Sequence, residues 1–384
     1  MLAGKSYAEL QPVSPACPRF PTHQLHVNSV PAPYLLCSFS VWRYFGMERV
    51  WSRHRADRTQ AAAKCRPGEK IFLCFMQRDT LFWLLLQGIN EKGLIMEEVA
   101  SKYINVNGSL LDLSVPRVMG ILNVTPDSFY AGSRMQTEAE IAARVRQIVD
   151  EGAAIIDIGA YSSRPNAEDV SPREEMDRLR MGLDILRKIH PETIVSVDTF
   201  RADVARMCVE EYGVAIINDI AAGEMDAEMF RTVAELNVPY IMMHMQGTPQ
   251  NMQQNPHYDN LLKEVFMYFA RKVRQLRDLG VKDIILDPGF GFGKTVEHNY
   301  ELLSHLEEFR LFELPLLAGV SRKSMIYRLL GTTPQESLNG TTVLDTICLL
   351  KGADILRVHD VREAVETVKI VEAMRSAASW SYKS

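Results

Sequence analysis

The chain is 384 residues long and carries 43 Lys and Arg against 48 Asp and Glu, a formal net charge of -5, so its charge balance gives no support for a polyanion-binding protein. Its six cysteines include no CxxC pair, and no zinc or dithiol site is indicated.

Residues 1–40 hold six of the 18 prolines, and residues 43–70 are Arg-rich without a sustained helical or strand period. Three of the four tryptophans and four of the six cysteines (Cys17, Cys37, Cys65, Cys74) precede residue 84. The basic tract reads as solvated surface rather than a nucleic-acid patch. The stretch 71–89 is nearly long enough to span a membrane, but Gln77, Arg78 and Asp79 at its centre make spanning costly. No basic-apolar-small signal sequence opens the chain. Neither nucleic acid nor membrane is expected as a partner, and a cytoplasmic setting is. Residues 1–95 are expected to be an irregular N-terminal extension, disordered or a start-site artefact, with Met96 as the true start. The competing expectation is an accessory segment whose apolar 71–89 stretch packs on the barrel or on a partner. Residues 96–116 are read as a lead-in.

From residue 117 a rhythm begins. Apolar runs at 118–123, 154–158, 194–198, 214–218, 240–244, 284–287, 316–320 and 355–359 are each about strand length and rich in Val, Ile and Leu, the pattern of parallel strands buried on both faces. Between them lie helix-length segments. Thr137 to Glu140 has the look of a helix start, Ala142, Val145, Ile148 and Val149 recur at helical spacing, and Gly152 ends the segment. Others are expected over 172–189, 201–211, 226–236, 258–279, 297–308, 335–351 and 361–376, several closed by a glycine such as Gly213, Gly280 or Gly352. The pattern predicts a closed α/β TIM barrel over 117–376 with a tail at 377–384, its active site at the C-terminal strand ends. An open doubly wound sheet fits the alternation but rarely has functional residues at every strand end. Cys208 and Cys348 fall on predicted helix faces as buried thiols rather than a disulfide.

The polar residues cluster at those ends. GILNVTPDSF at 120–129 puts Asn123 at a strand end ahead of a turn rich in oxygen ligands and amides; on its own it reads equally as a capped turn. DIGAYSSRP at 157–165 follows a strand end with hydroxyls and an arginine, a mixture that suits phosphate or carboxylate. VDT at 197–199, IND at 217–219 and DPGFGFGK at 287–294 bring Asp198, Asn218 and Asp287 to three strand ends. Two carboxylates and a carboxamide facing one pocket can pair with the amino and ring-nitrogen edge of a pterin or pyrimidine. In GVSRKS at 319–324, residues Ser321 to Ser324 open a helix whose amides and dipole face an anion. Arg357 and His359, two residues apart on the last strand, project to one side where they can grip phosphate. Plainer readings also hold: Asp287-Pro-Gly is a common turn, and the glycines from 289 to 293 lack GxGxxG spacing. Met242, Met243 and Met245 are barrel lining, and His244 is a hydrogen-bonded core residue.

Taken together, NVTPDSF, the Ser-Arg-Pro loop, VDT, IND, MHMQG, DPGFGFGK, GVSRKS and RVHDV, in this order and spacing over about 117–376, resemble the dihydropteroate synthase family of folate biosynthesis. The resemblance implies condensation of 6-hydroxymethyl-7,8-dihydropterin diphosphate with 4-aminobenzoate to give dihydropteroate and pyrophosphate, with Mg2+, a homodimer through the late helices and sulfonamides as inhibitors. It implies that Asp198, Asn218, Asp287 and Lys323 are catalytic and hold the pterin, with the two carboxylates offsetting positive charge at its methylene. Asn123 then holds Mg2+, which with Arg164, Arg357 and His359 stabilises the leaving pyrophosphate. Ser324 takes the aminobenzoate carboxylate with Phe292 against its ring, and Met243 and Ser321 complete the substrate contacts. Thr125, Asp127, Ser128 and Phe129, with Ser163, Arg164 and Pro165, close over the site and exclude water.

The second loop departs from the family's common Glu-Ser-Thr-Arg-Pro-Gly: it reads Tyr161-Ser-Ser-Arg-Pro-Asn166, which bears on loop stiffness and aminobenzoate affinity. A family-like lead-in begins only after Met96. A methyltetrahydrofolate-binding corrinoid methyltransferase is a rival pterin-binding barrel, but Ser-Arg-Lys-Ser and Arg-Val-His favour phosphate chemistry. A degenerate, non-catalytic pterin-binding barrel is disfavoured because every charged motif position is present.

Overall fold

The computed structural model describes residues 102–124, 138–161, 170–252 and 254–380. The expected extension over 1–95 lies outside them.

The lead-in folds into a hairpin that the sequence reading had not resolved. Strands β1 (Tyr103–Val106) and β2 (Ser109–Asp112) pair antiparallel, Tyr103 opposite Asp112 and Val106 opposite Ser109. Asn107 and Gly108 between them have φ of 52° and 85°, the positive values that a two-residue type I′ turn demands and that Asn-Gly adopts at little cost. Ile104 and Val106 join Leu113, Met119, Ile155, Ile241, Ile285, Leu317 and Ile355 in one apolar cluster. The hairpin thereby stoppers the strand-start end of the barrel, and Lys102 Nζ, 2.5 Å from Asp354 Oδ1, fastens it there.

The barrel strands are β3 (Arg117–Asn123), β4 (Ile155–Gly159), β5 (Ile194–Asp198), β6 (Ile216–Asp219), β7 (Tyr240–Met243), β8 (Ile284–Asp287), β9 (Leu317–Ala318) and β10 (Ile355–Val358). They pair in parallel in the order β8-β7-β6-β5-β4-β3-β10-β9. A bridge between Leu286 and Leu316 closes the ring, so the expected (β/α)8 barrel is the observed one. Several expected strand ends shift: His244, Val320 and His359 fall beyond β7, β9 and β10, already in the loops that follow, while β4 and β6 run one residue further, to Gly159 and Asp219.

Helices α1 (Glu138–Asp150), α2 (Pro172–Ile189), α3 (Ala202–Tyr212), α4 (Met229–Leu236), α5 (Leu261–Asp278) and α6 (Val296–Ser304) follow the first six barrel strands. The seventh strand is followed by two helices, α7 (Ser324–Leu330) and α8 (Leu338–Leu350), and the eighth by α9 (Val361–Trp380), which runs four residues past the expected stop. Their ends follow local chemistry. Ser171 accepts from Glu174 N ahead of Pro172 at the start of α2, and Asn260 accepts from Lys263 N to open α5. The segment expected at 226–236 begins late because Asp226 is spent as a cap, accepting from Ala202 N at 2.7 Å and Glu228 N at 3.0 Å. Cys208 and Cys348 are buried free thiols, as expected.

The pleat then sorts each strand by height. Side chains two apart share a face, so the inward face that starts with Ile155, Ile194, Ile216, Ile241, Ile285 and Ile355 continues to Asp157, Ser196, Asn218, Met243, Asp287 and Arg357. A dry floor thus supports a polar layer at the C-terminal end.

Candidate active site

Four side chains from four strands meet in that layer. Asp157 Oδ2 accepts from Arg357 Nε at 2.6 Å and from Asn218 Nδ2 at 3.0 Å, while Arg357 Nη2 donates to Asp198 Oδ2 at 2.6 Å. Asp157 is fully buried, and its Oδ1, like the hydroxyl of neighbouring Ser196, has no hydrogen-bond partner among the described residues. Asp198 sits at the rim, its side chain 21% exposed. Burial pushes its carboxyl up to about 7 despite the opposing pull of Arg357, with Asp157 adding to the rise. Sequence reasoning named Asp198, Asn218 and Arg357 but missed Asp157, which lies inside an apolar run rather than at its end. The available signal was parity: Asp157 stands two residues from Ile155, on the inward face.

Arg357 is also tied to acids of the site. Two of its nitrogens are committed to carboxylates, leaving Nη1 for any further acceptor, and its charge chiefly balances Asp157 and Asp198. His359 turns to Ser321: Ser321 Oγ accepts from His359 N at 3.2 Å and lies 3.1 Å from His359 Nδ1. Where the Ser321 hydroxyl donates to Nδ1, the ring proton is on Nε2. Burial, reinforced by Arg357, holds His359 down to about 4, so at neutral pH it is an uncharged donor rather than a second cation.

The other half of the site is built on β8 and the turn before α7. Asp287, buried, accepts from Gly289 N at 2.8 Å; burial raises its carboxyl, and Lys323 opposes the rise. Lys323 donates to Phe290 O at 2.6 Å, and its Nζ lies 4.7 Å from the centre of the Phe292 ring. Burial lowers its ammonium to about 8, with Asp287 as the main support for the charged form. Ser324 opens α7 directly after Lys323. Phe292 and Met243 share a small apolar cluster with Phe200, Ile220, Ala221 and Tyr161. Tyr161 accepts from Gln250 Nε2 at 2.9 Å, and the Arg201 guanidinium lies 5.4 Å from its ring centre.

Several motif residues prove to be supports. Arg322 pairs bidentately with Asp360 at 2.8 Å and donates to the carbonyls of Pro334 and Gln335. Asp219 accepts from Tyr240 Oη at 2.6 Å and from the amides of Ala221 and Gly223. Thr199 donates to buried Glu175, which also pairs with Arg201. His244 is a core residue whose Nδ1 lies 3.0 Å from Lys294 Nζ. Asn123 ends β3 as expected. Thr125, Asp127, Ser128, Phe129, Ser163, Arg164 and Pro165 lie outside the described residues. Among the described residues no group of three or more His, Cys, Asp or Glu side chains is arranged to hold a metal ion.

An inward layer with one paired arginine, two carboxyls raised by burial and a lysine lowered by it has the perturbed titration of a reaction site. Known proteins agree. Residues 119–359 match the family described as pterin binding enzyme. The dihydropteroate synthase of Escherichia coli K12 is 44% identical over 276 residues, 70% of this chain and 95% of that protein. That of Haemophilus influenzae is 40% identical over 273 residues, 71% and 98% of the two chains. A crystal structure of Yersinia pestis dihydropteroate synthase with a sulfonamide drug complex superposes with a TM-score of 0.68 at 42% identity, covering 71% of this chain and 99% of that one. The Xanthomonas albilineans enzyme with 4-aminobenzoic acid gives 0.66 at 36% identity over 72% and 98%. The chain belongs to the pterin-binding enzyme family and, within it, to the dihydropteroate synthases, transferases of folate biosynthesis.

Proposed function

We propose that this chain joins 6-hydroxymethyl-7,8-dihydropterin diphosphate to 4-aminobenzoate, releasing pyrophosphate. The observation that carries the residue assignment is the shared polar layer of Asp157, Asp198, Asn218 and Arg357 facing Asp287 and Lys323. Asn218, Asp198 and Asp287 offer acceptors and donors to the amino and ring-nitrogen edge of the pterin, and Lys323 donates to its ring. The C–O bond at the pterin methylene breaks with its electron pair leaving on pyrophosphate. The aminobenzoate nitrogen then forms the C–N bond and releases a proton. Asp198 and Asp287, ionised, stabilise positive charge developing on the ring system. Neutral His359 presents Nε2–H, and Arg357 its remaining nitrogen, to the departing oxygens. Phe292, Met243 and Ser324 receive the aromatic amine, with Ser321 behind them, and Thr125, Asp127, Ser128, Phe129, Ser163, Arg164 and Pro165 close over both substrates.

Mg2+ fits one feature of this arrangement. It binds through one or two protein oxygens and completes its shell with phosphate oxygens and water, so the hard oxygen of Asn123 suffices without a carboxylate cluster. It would neutralise charge on the leaving diphosphate. The proposed assembly is a homodimer through the late helices, supported by exposed apolar side chains at Leu329 and Leu330 of α7, Val343 and Leu350 of α8, and Ile370 and Met374 of α9. The proposed setting is the cytoplasm, in keeping with two unpaired thiols, and the proposed catalytic unit is 117–376, with 1–95 as an extension to it. Mass spectrometry of the reaction mixture tests the substrate assignment. The expected result is dihydropteroate in amounts equal to the aminobenzoate consumed, and its formation should fall as a sulfonamide is added. No new pterin–benzoate adduct would reject the assignment.

A further inference from the structure

The lysine that ends the glycine loop after β8 is absorbed by none of these roles. Lys294 is 3% exposed, and its Nζ lies 2.9 Å from Gly289 O, 3.1 Å from Phe292 O, 3.2 Å from His244 O and 3.0 Å from His244 Nδ1. An ammonium has three protons to donate, so these four acceptors from two loops account for every one. The loops touch through their backbones: a Cβ on Gly289, whose φ is 71°, would stand 2.0 Å from His244 O. Only a glycine fits there, and the ammonium offsets the carbonyls that such packing turns inward.

The gripped carbonyls bracket the seat of Lys323. Gly289 and Phe292 flank Phe290, whose carbonyl accepts from Lys323 Nζ at 2.6 Å, and Gly291, where an added Cβ would meet Lys323 Cδ at 3.2 Å. The Phe292 ring faces the same ammonium. Asn299 holds Gly291 N at 2.7 Å and Tyr258 holds Gly293 O at 2.7 Å, so the segment is fixed from outside at several points, with Lys294 the tie that also reaches His244.

We propose that Lys294 is a positioning residue of the reaction, setting the Phe290–Gly291 segment so that the Lys323 ammonium is held toward Asp287 and the pterin. The inference rests on the reading that Lys323 acts on the pterin. A loop displaced by ~1 Å costs on the order of 10²-fold in rate where geometry is critical, so the effect on turnover should be large and should pass through Lys323.

The test is a double-mutant cycle with purified protein. Lys294→Met keeps length and loses every donor; Lys294→Gln keeps two. Each is made alone and with Lys323→Ala, and single-turnover rates with saturating pterin diphosphate are measured with melting temperatures. The expected result is a loss of about 10-fold or more for Lys294→Met, a smaller one for Lys294→Gln, and less than about threefold for either change once Lys323 is gone, since interacting residues are non-additive. Equal losses in both backgrounds would overturn the proposal, as would near-wild-type rates or failure of both variants to fold, which would make Lys294 purely structural. An inactive wild-type protein would instead sink the substrate assignment, so the two failures are distinguishable.

Discussion

Arg357 and Asp157 stand 200 residues apart in the chain and 2.6 Å apart in space, Nε to Oδ2. The barrel makes that pairing possible because β10 and β4 both flank β3 and present their charged residues at the same height. One guanidinium therefore holds two carboxylates, Asp157 below and Asp198 at the rim.

Removing the lower partner should be costly in a way that removing a surface charge is not. Arg357 would keep Asp198 as its counter-charge, so the cost is that of a buried charge-assisted hydrogen bond, about 2 kcal/mol. Asp157→Asn keeps the shape and the bond from Asn218 is the weaker of its two, so the loss falls mainly on Arg357. The expected outcome is a destabilisation of about that size in denaturant unfolding and a marked fall in turnover. Wild-type values of both would show that the pair does not organise the site.

Lys323→Ala and Asp287→Asn should each lower turnover by ~10²-fold or more with the fold retained, as loss of a preorganised polar contact does. Steady-state rates and circular dichroism check this, and near-wild-type turnover in either variant removes that residue from the mechanism.

Activity should follow a narrow bell in pH. Asp198 must be ionised and is pushed up to about 7, whereas Lys323 must be protonated and is lowered to about 8, so the rate rises through about 7 and falls above about 8. The stability signs are separate. Asp198, raised from 3.8 to about 7, binds its proton more tightly folded than unfolded, so its contribution is most favourable below about 4 and is lost as pH climbs through 7. Lys323, lowered from 10.5 to about 8, costs stability as pH falls from about 10 through 8. A pH–rate profile flat from 6 to 9 would refute the assigned ionisation states.

The hairpin sets a boundary on truncation. A chain beginning at Met96 should be dimeric and fully active, because Ile104 and Val106 remain buried against the barrel floor. Removing residues through 112 as well should cost about 3 kcal/mol, because it takes away those two side chains and uncovers the floor residues they bury, such as Met119, Ile155 and Ile355. Thermal melts of the two truncated chains separate the cases; a large loss in the longer one would show that the extension belongs to the working protein.

The barrel was legible because most strands are apolar runs closed by or followed by a polar residue, and a ring of such runs has few alternative folds. Asp198, Asn218 and Asp287 could be read directly, since they end their runs. Asp157 could not, because it lies inside its run and the meaning of its carboxylate depends on strand parity. The partners of Arg357 were hidden for a related reason: spacing shows that a guanidinium points inward but not which acid awaits it. Lys294 and Arg322 sit in motifs rich in chemistry yet serve backbone carbonyls or a neighbouring carboxylate, a distinction that only the folded loops reveal. Asn107-Gly108 carries a hairpin signal of its own inside the lead-in.

The central claim is that this layer of residues drives loss of pyrophosphate for attack by an aromatic amine. Pyrophosphate release from 6-hydroxymethyl-7,8-dihydropterin diphosphate, followed with Mg2+ in the presence and absence of 4-aminobenzoate, tests it most directly. The account predicts rapid release that depends on aminobenzoate and falls by ~10²-fold in Lys323→Ala. Release that is absent, or that proceeds equally well in Lys323→Ala, would contradict it.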